Sequence, residues 1–140
     1  DYPGFEAIID DYGTTDAANL AKAYAGICYF KLGDTKKALD LLKSYDGSDK
    51  MIAPSVTGLI GDCLVNEGKV KDGIGYFEKA ASQADNEVIS PVYLKKAGLA
   101  YESLNQPKDA VKAYTTIKEK YFNSLEAADI DKYIARASAK

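Results

Sequence analysis

Three glycines inside helix-like stretches constrain this chain more than any other feature. AYAGICYFKLGDTKKAL, LIGDCLVNEGKVKDGI and KAGLAYESLNQPKDAV align on Gly26, Gly61 and Gly98, which stand 35 and 37 residues apart. Three positions after each glycine comes Tyr29, Leu64 or Tyr101, and seven after comes Gly33, Gly68 or Asn105. Twelve after come Ala38, Gly73 and Ala110; sixteen after come Leu42, Phe77 and Tyr114. A helix-interior glycine costs about 1 kcal/mol against alanine, so a recurring one needs a compensating contact. Self-similarity at this period marks stacked helical hairpins.

Proline, glycine and cap-type residues punctuate the chain between apolar stripes of helical period. Helices are expected over about 17–32, stopped by Gly33, and from Thr35 to Tyr45. A polar loop, DGSDK, follows at 46–50. Pro54 suits the first turn of a helix reaching Glu67, with Gly68 as its stop, and the next helix covers about 70–84. Ser90-Pro91 reads as a cap and first residue for 91–104, and Pro107 opens a helix to about Tyr121. Ser124 is expected to cap a last helix over 124–138. No segment alternates as a strand does, so the fold class is all-α. The small columns are expected to meet, Gly26, Gly61 and Gly98 facing Ala38, Gly73 and Ala110, which would let paired helices approach closely.

Composition narrows the chemistry. The 140 residues suffice for one domain, with 18 basic and 21 acidic side chains and a net charge of −3. Arg136 is the one arginine, so the basic footprint and guanidinium forks of nucleic-acid binding are missing. The chain has no histidine, which rules out Ser-His-Asp and Cys-His triads within it. GKVKDGIG, at 68–75, lacks the Lys-Ser/Thr that a phosphate loop needs after its second glycine. YDGSD, at 45–49, lacks the oxygen series and distal glutamate of a calcium loop. The acidic pairs Asp10-Asp11 and Glu126/Asp129 read as solvated helix faces. Cys28 and Cys63 sit at equivalent repeat positions, about a helix-packing distance apart and so too far for a bridge; both are expected as small core residues. No catalytic residue, cofactor or metal is expected. No run reaches the ~20 apolar residues of a membrane span. The chain starts at Asp1 without methionine, which reads as an excised or processed piece.

The repeat columns resemble those of the tetratricopeptide repeat (TPR) family. The resemblance implies a right-handed α-solenoid in a single domain over 1–140, with units at 17–45, 54–84 and 91–121. A partial unit over 3–13 and a capping helix over 124–138 complete it. Departures are the large residue expected four before each glycine, where Lys22 and Thr57 stand and only Leu94 fits, and Asp85 and Phe122 where units often end in proline. The family's inner wall comes from the first helix of each unit, which here implies Ala23, Ile27 and Phe30; Gly58, Asp62 and Val65; and Lys95, Leu99 and Glu102. That face would hold an extended or helical peptide, apolar at its N-terminal end. For Phe30, groove lining and internal packing stand level; for Leu99, packing is favoured. Ala23 and Ile27 replace the lysine and asparagine of TPR clamps for C-terminal carboxylates, so that clamp is not expected.

AKAYAGICY, the SP-x-YL-x-KAG run and AYTTIKEKYFNSLEAADIDKYIARA resemble a narrower group, the membrane-anchored TPR proteins of Bacteroidetes-type bacteria. These are similar to the YfgM-like ancillary subunit of the Sec translocon. That resemblance implies a periplasmic array whose anchor lies before Asp1, binding exported proteins or an envelope assembly machine. A cytoplasmic adaptor with one dedicated partner, and a small-ligand binder or enzyme using the groove, stay open as alternatives. Self-association through the N-terminal edge is a further one.

Overall fold

The structure is a computed structural model and describes residues 15–140 together with Gly4, Phe5, Ala7 and Ile9. The partial unit expected over 3–13 lies outside the described residues except at those four positions. Across residues 15–140 the described residues form seven α-helices: α1 (Asp16–Lys31), α2 (Thr35–Lys43), α3 (Ile52–Asn66), α4 (Val70–Ala84), α5 (Ser90–Ser103), α6 (Pro107–Lys120) and α7 (Ile130–Ser138). A 3-10 turn, Glu126–Asp129, leads into α7. No strand occurs among the described residues. Each helix packs chiefly on its sequence neighbours, so the described residues form an all-α solenoid of helical hairpins.

The three hairpin turns share one backbone solution. Gly33 and Gly68 take φ +85° and +81°, and Asn105 takes φ +58°, the left-handed conformation that closes a helix. Asp34 N–H then donates to the Tyr29 carbonyl at 2.9 Å, Lys69 N–H to Leu64 at 2.8 Å, and Gln106 N–H to Tyr101 at 2.9 Å. The column three after the repeat glycine therefore accepts the capping bond, and the column seven after supplies the left-handed residue that lets its successor donate it. Only the first turn adds a side-chain cap, with Asp34 Oδ1 accepting from Lys37 N–H at 3.1 Å.

The repeat glycines have a different occupant from the one expected. A Cβ on Gly26 would lie 2.6 Å from Leu42, on Gly61 2.6 Å from Phe77, and on Gly98 2.2 Å from Tyr114. The bulky residue sixteen positions on fills each notch; of the small residues twelve on, only Gly73 also faces its glycine, as expected, while Ala38 and Ala110 are not among the nearest neighbours of Gly26 and Gly98. Hairpin symmetry explains this: each glycine and its occupant stand eight residues either side of Asp34, Lys69 or Gln106. By the same symmetry the small residue of the second helix faces the position four after the glycine. Gly73 does so, its Cβ position falling 2.7 Å from Val65. In the middle pair the backbones also close in, with the Gly73 carbonyl 3.0 Å from the Gly61 Cβ position. Leu42 and Tyr114 are fully buried, and Phe77 is 3 % exposed.

Two local expectations differ in detail. Ser90 is the first residue of α5 and not its cap; its hydroxyl donates to the Ala81 carbonyl at 2.7 Å and accepts from Asn86 N–H at 3.1 Å. Asn86 Oδ1 takes the Val88 and Ile89 N–H groups instead. Fully buried Ser90 thus ties the end of α4 to the start of α5. Ser124 does cap its segment, accepting from Ala127 N–H at 3.2 Å, but what it opens is the 3-10 turn, and α7 begins only at Ile130. Asp49, in the expected loop, accepts from both Met51 and Ile52 N–H at 2.9 Å. These two bonds hold its carboxyl below the usual range.

Candidate functional site

The first helices α1, α3 and α5 form one wall, and its character changes along the array. Between α1 and α3 lies an apolar cleft of about 230 Å³. Leu20, Ala23, Tyr24 and Ile27 line it from α1; Ile52, Val56 and Leu59 line it from α3, with Met51 at the helix start. Ser55 is the polar side chain among its walls. Ala23 is buried and forms the floor, whereas Tyr24 and Met51 are half exposed at the rim. Phe5 stacks on Tyr24 with ring centroids 6.2 Å apart.

Further along, the wall closes by internal contacts. The Tyr93 ring of α5 lies over Gly58, whose Cβ position falls 2.1 Å from Tyr93 Cζ, so no side chain but hydrogen fits there. Tyr93 also stacks on Phe77 at 6.0 Å, and burial, with Asp62 nearby, pushes its hydroxyl pKa up to about 12. Asp62 accepts from Lys96 Nζ at 2.7 Å across the α3–α5 junction, and the same ammonium lies 5.7 Å from the Tyr93 ring centroid. Val65 packs on the Ile74–Phe77 cluster, and Phe30 on the first core cluster around Leu42.

The third unit's wall is held by the C-terminal segment. Lys95 Nζ lies 4.4 Å from the Tyr133 ring centroid and 3.8 Å from Asp129 Oδ1. Glu102 is a junction: Tyr114 Oη donates to Oε1 at 2.7 Å, Arg136 donates through both Nε and Nη2, and Lys140 Nζ reaches Oε2 at 3.4 Å. The carboxylate is only 8 % exposed, and the Arg136 guanidinium is the main reason it ionises at about 2. Tyr114, donating to that carboxylate from a buried position, has its pKa raised. Between Lys95 and Glu102, Leu99 stands 43 % exposed, not packed as favoured from the sequence.

Of the nine expected wall residues, Ala23 and Ile27 meet in the apolar cleft. Gly58, Asp62, Lys95 and Glu102 are engaged inside the molecule, Phe30 and Val65 pack on the core, and Leu99 stands apart. Leu20, Tyr24, Met51 and Leu59 were missed. A signal for the first two exists: Leu20, Tyr24 and Ile27 follow an i, i+4, i+7 row on α1, beside the row of the core residues.

The cysteines are unbridged. Cys63 is fully buried, and burial is the chief cause raising its thiol to about 11; Cys28 is half-buried, so only Cys63 is a full core residue. Among the described residues no cluster of three histidine, cysteine, aspartate or glutamate side chains could hold a metal ion. Likewise none of the described helices is long and apolar enough to cross a membrane.

The fold defines a class, the α-solenoids built of stacked helical hairpins. The tetratricopeptide repeat family model matches residues 23–45 and 93–124, most of the first unit and nearly all of the third. The middle pair, α3–α4, carries the same glycine notch and the same left-handed cap as its two neighbours. No curated protein matches the chain.

Proposed function

We propose that this chain is a non-catalytic protein-interaction module whose α1–α3 cleft receives an apolar side chain of a partner peptide. The observation that carries this reading is the cleft itself: apolar side chains of two adjacent first helices converge, with Leu20, Tyr24 and Met51 left exposed around a buried floor. Burying such side chains against a partner is favourable by about 25 cal/mol per Å² before ordering costs. The remaining inner-wall positions Asp62, Lys95, Leu99 and Glu102 would then meet the partner only at their margins.

A random twelve-residue peptide library panned against the chain tests this. Enriched peptides sharing an apolar anchor, and bound at least tenfold more weakly by Ile27→Asp with its helical content intact, support the reading. Enrichment without a shared anchor, or binding indifferent to Ile27→Asp and Tyr24→Ala, overturns it.

A finer reading puts the array in the cell envelope, on the periplasmic side of a membrane anchor outside this sequence, contacting exported proteins or an assembly or translocation machine. Its support is the likeness of AKAYAGICY, SP-x-YL-x-KAG and the C-terminal run to anchored TPR proteins. Unbridged cysteines are tolerated in an oxidising compartment only when buried, a condition that Cys63 meets and half-buried Cys28 does not, so the thiols weigh against this reading. Fractionation of cells expressing the epitope-tagged full-length gene product decides between this and a cytoplasmic adaptor. Recovery in the cytosol overturns the envelope reading.

A further inference from the structure

On the second helices, α4 and the last turn of α2 border an open trough of about 470 Å³ lined by Lys43, Lys71, Asp72, Gly75, Tyr76 and Lys79. Lys71, Gly75 and Lys79 form one i, i+4, i+8 row on α4, and Lys43 comes from the last turn of α2. Two features set this place apart.

The first is a gathering of unpaired charge. Lys96 meets Asp62, Lys118 meets Asp131, Lys120 meets Asp85, and Arg136 meets Glu102, whereas several lysines, Lys108 and Lys112 of α6 among them, meet no carboxylate among the described residues. Among the described residues, Lys43, Lys71 and Lys79 take part in no ion pair, although the chain has more acidic than basic side chains. Three ammonium groups share the trough with the single carboxylate of Asp72.

The second is Gly75. A helix-interior glycine is destabilising, and Gly73 is explained by Val65 and Gly61, but a Cβ on Gly75 would meet nothing within 4 Å. No contact within the fold asks for glycine there. Its bare backbone leaves room between Lys71 and Lys79 for a chain to lie close to α4. Lys43, Tyr76 and Lys79 also line an adjoining polar recess that reaches Thr57 and Gln83, whose side chains hydrogen-bond to each other at 2.8 Å. The trough therefore continues inward along polar, not apolar, walls.

We infer that this α2–α4 trough binds an acidic segment of a partner protein, its carboxylates meeting Lys43, Lys71 and Lys79 and its backbone crossing Gly75. Point-like ammonium groups suit carboxylates, and the chain's one arginine, the residue type favoured for forked phosphate contacts, is already committed to Glu102. The site is separate from the α1–α3 cleft, and either can fail without the other.

Fluorescence anisotropy with a fluorescein-labelled octaglutamate peptide tests the inference. Saturable, salt-sensitive binding is expected, at least tenfold weaker in K43Q/K71Q/K79Q, which keeps most of each aliphatic stem. Gly75→Leu, whose Cβ meets nothing within 4 Å and which keeps all three charges, should weaken binding severalfold without lowering the thermal midpoint. K31Q/K36Q/K108Q, an equal change of net charge elsewhere, should bind as the unmodified chain does. The inference is overturned if octaglutamate does not bind, or if both triple variants lose equally. It is overturned as well if Gly75→Leu binds unchanged, or if an eight-nucleotide single-stranded DNA binds as tightly, which would mark a general polyanion surface.

Discussion

Gly98 lies directly beneath the ring of Tyr114, so close that a Cβ would fall 2.2 Å from Cε1 of the tyrosine. The ring is fully buried and its hydroxyl is held by Glu102, so it has no direction in which to yield. Overpacking a close-packed site costs roughly 1–3 kcal/mol, against which alanine recovers about 1 kcal/mol of helix propensity. Gly98→Ala should therefore lower unfolding stability by up to about 2 kcal/mol. Gly75→Ala, with open space around it, should raise stability by up to about 1 kcal/mol. Urea denaturation of the two variants compares them directly, and equal shifts would contradict the packing notch.

The left-handed caps make a second prediction, of opposite signs at equivalent positions. Gly33→Ala forces a Cβ into φ +85° and should cost about 1 kcal/mol. Asn105→Gly relieves the same backbone requirement at φ +58° and should stabilise by a few tenths to about 1 kcal/mol. Thermal denaturation is sufficient to see both.

The acid limb of stability should report Glu102. Its folded carboxyl ionises at about 2, below the ordinary 4.5, because Arg136 donates to it. Its contribution is therefore complete above about pH 4.5 and is lost as pH falls toward 2. The urea midpoint of the native chain should fall across that window. Glu102→Gln should start lower at pH 7 and flatten the fall, and a parallel fall in both would refute the assignment.

Thiol chemistry should separate the cysteines. Cys63, buried and ionising at about 11, should react with a disulfide reagent at pH 8 only as fast as the protein opens. Cys28, half-buried, should react faster in Cys63→Ala than Cys63 does in Cys28→Ser. Equal rates would contradict the burial described.

Much of the fold was legible because it is written in local spacing. The notch glycines, their occupants sixteen residues on and the caps seven residues on all lie within one hairpin, and chain symmetry about the turn fixes who meets whom. That symmetry also shows why Gly26 faces Leu42 and not Ala38, an arithmetic available in the sequence and not applied there. Other features depend on partners far along the chain. Glu102 was readable as an inner-wall position, but its capture by Arg136, 34 residues later, depends on where α7 docks. Ser90 looked like a cap because Ser-Pro is a good helix start; the bond it makes is to Ala81, in the preceding helix. The cleft was half visible through Ala23 and Ile27, while Met51 and Leu59 enter it only through the packing of α1 on α3.

Glu102 touches three helices at once: its own, α6 through Tyr114, and α7 through Arg136. A terminal helix of nine residues would ordinarily fray alone, exchanging its amide protons far faster than the interior. With that carboxylate knotting them, α5, α6 and α7 share one opening event. The end of the solenoid then behaves as a single cooperative block, and the array's softest point moves inward, toward the junctions between hairpins.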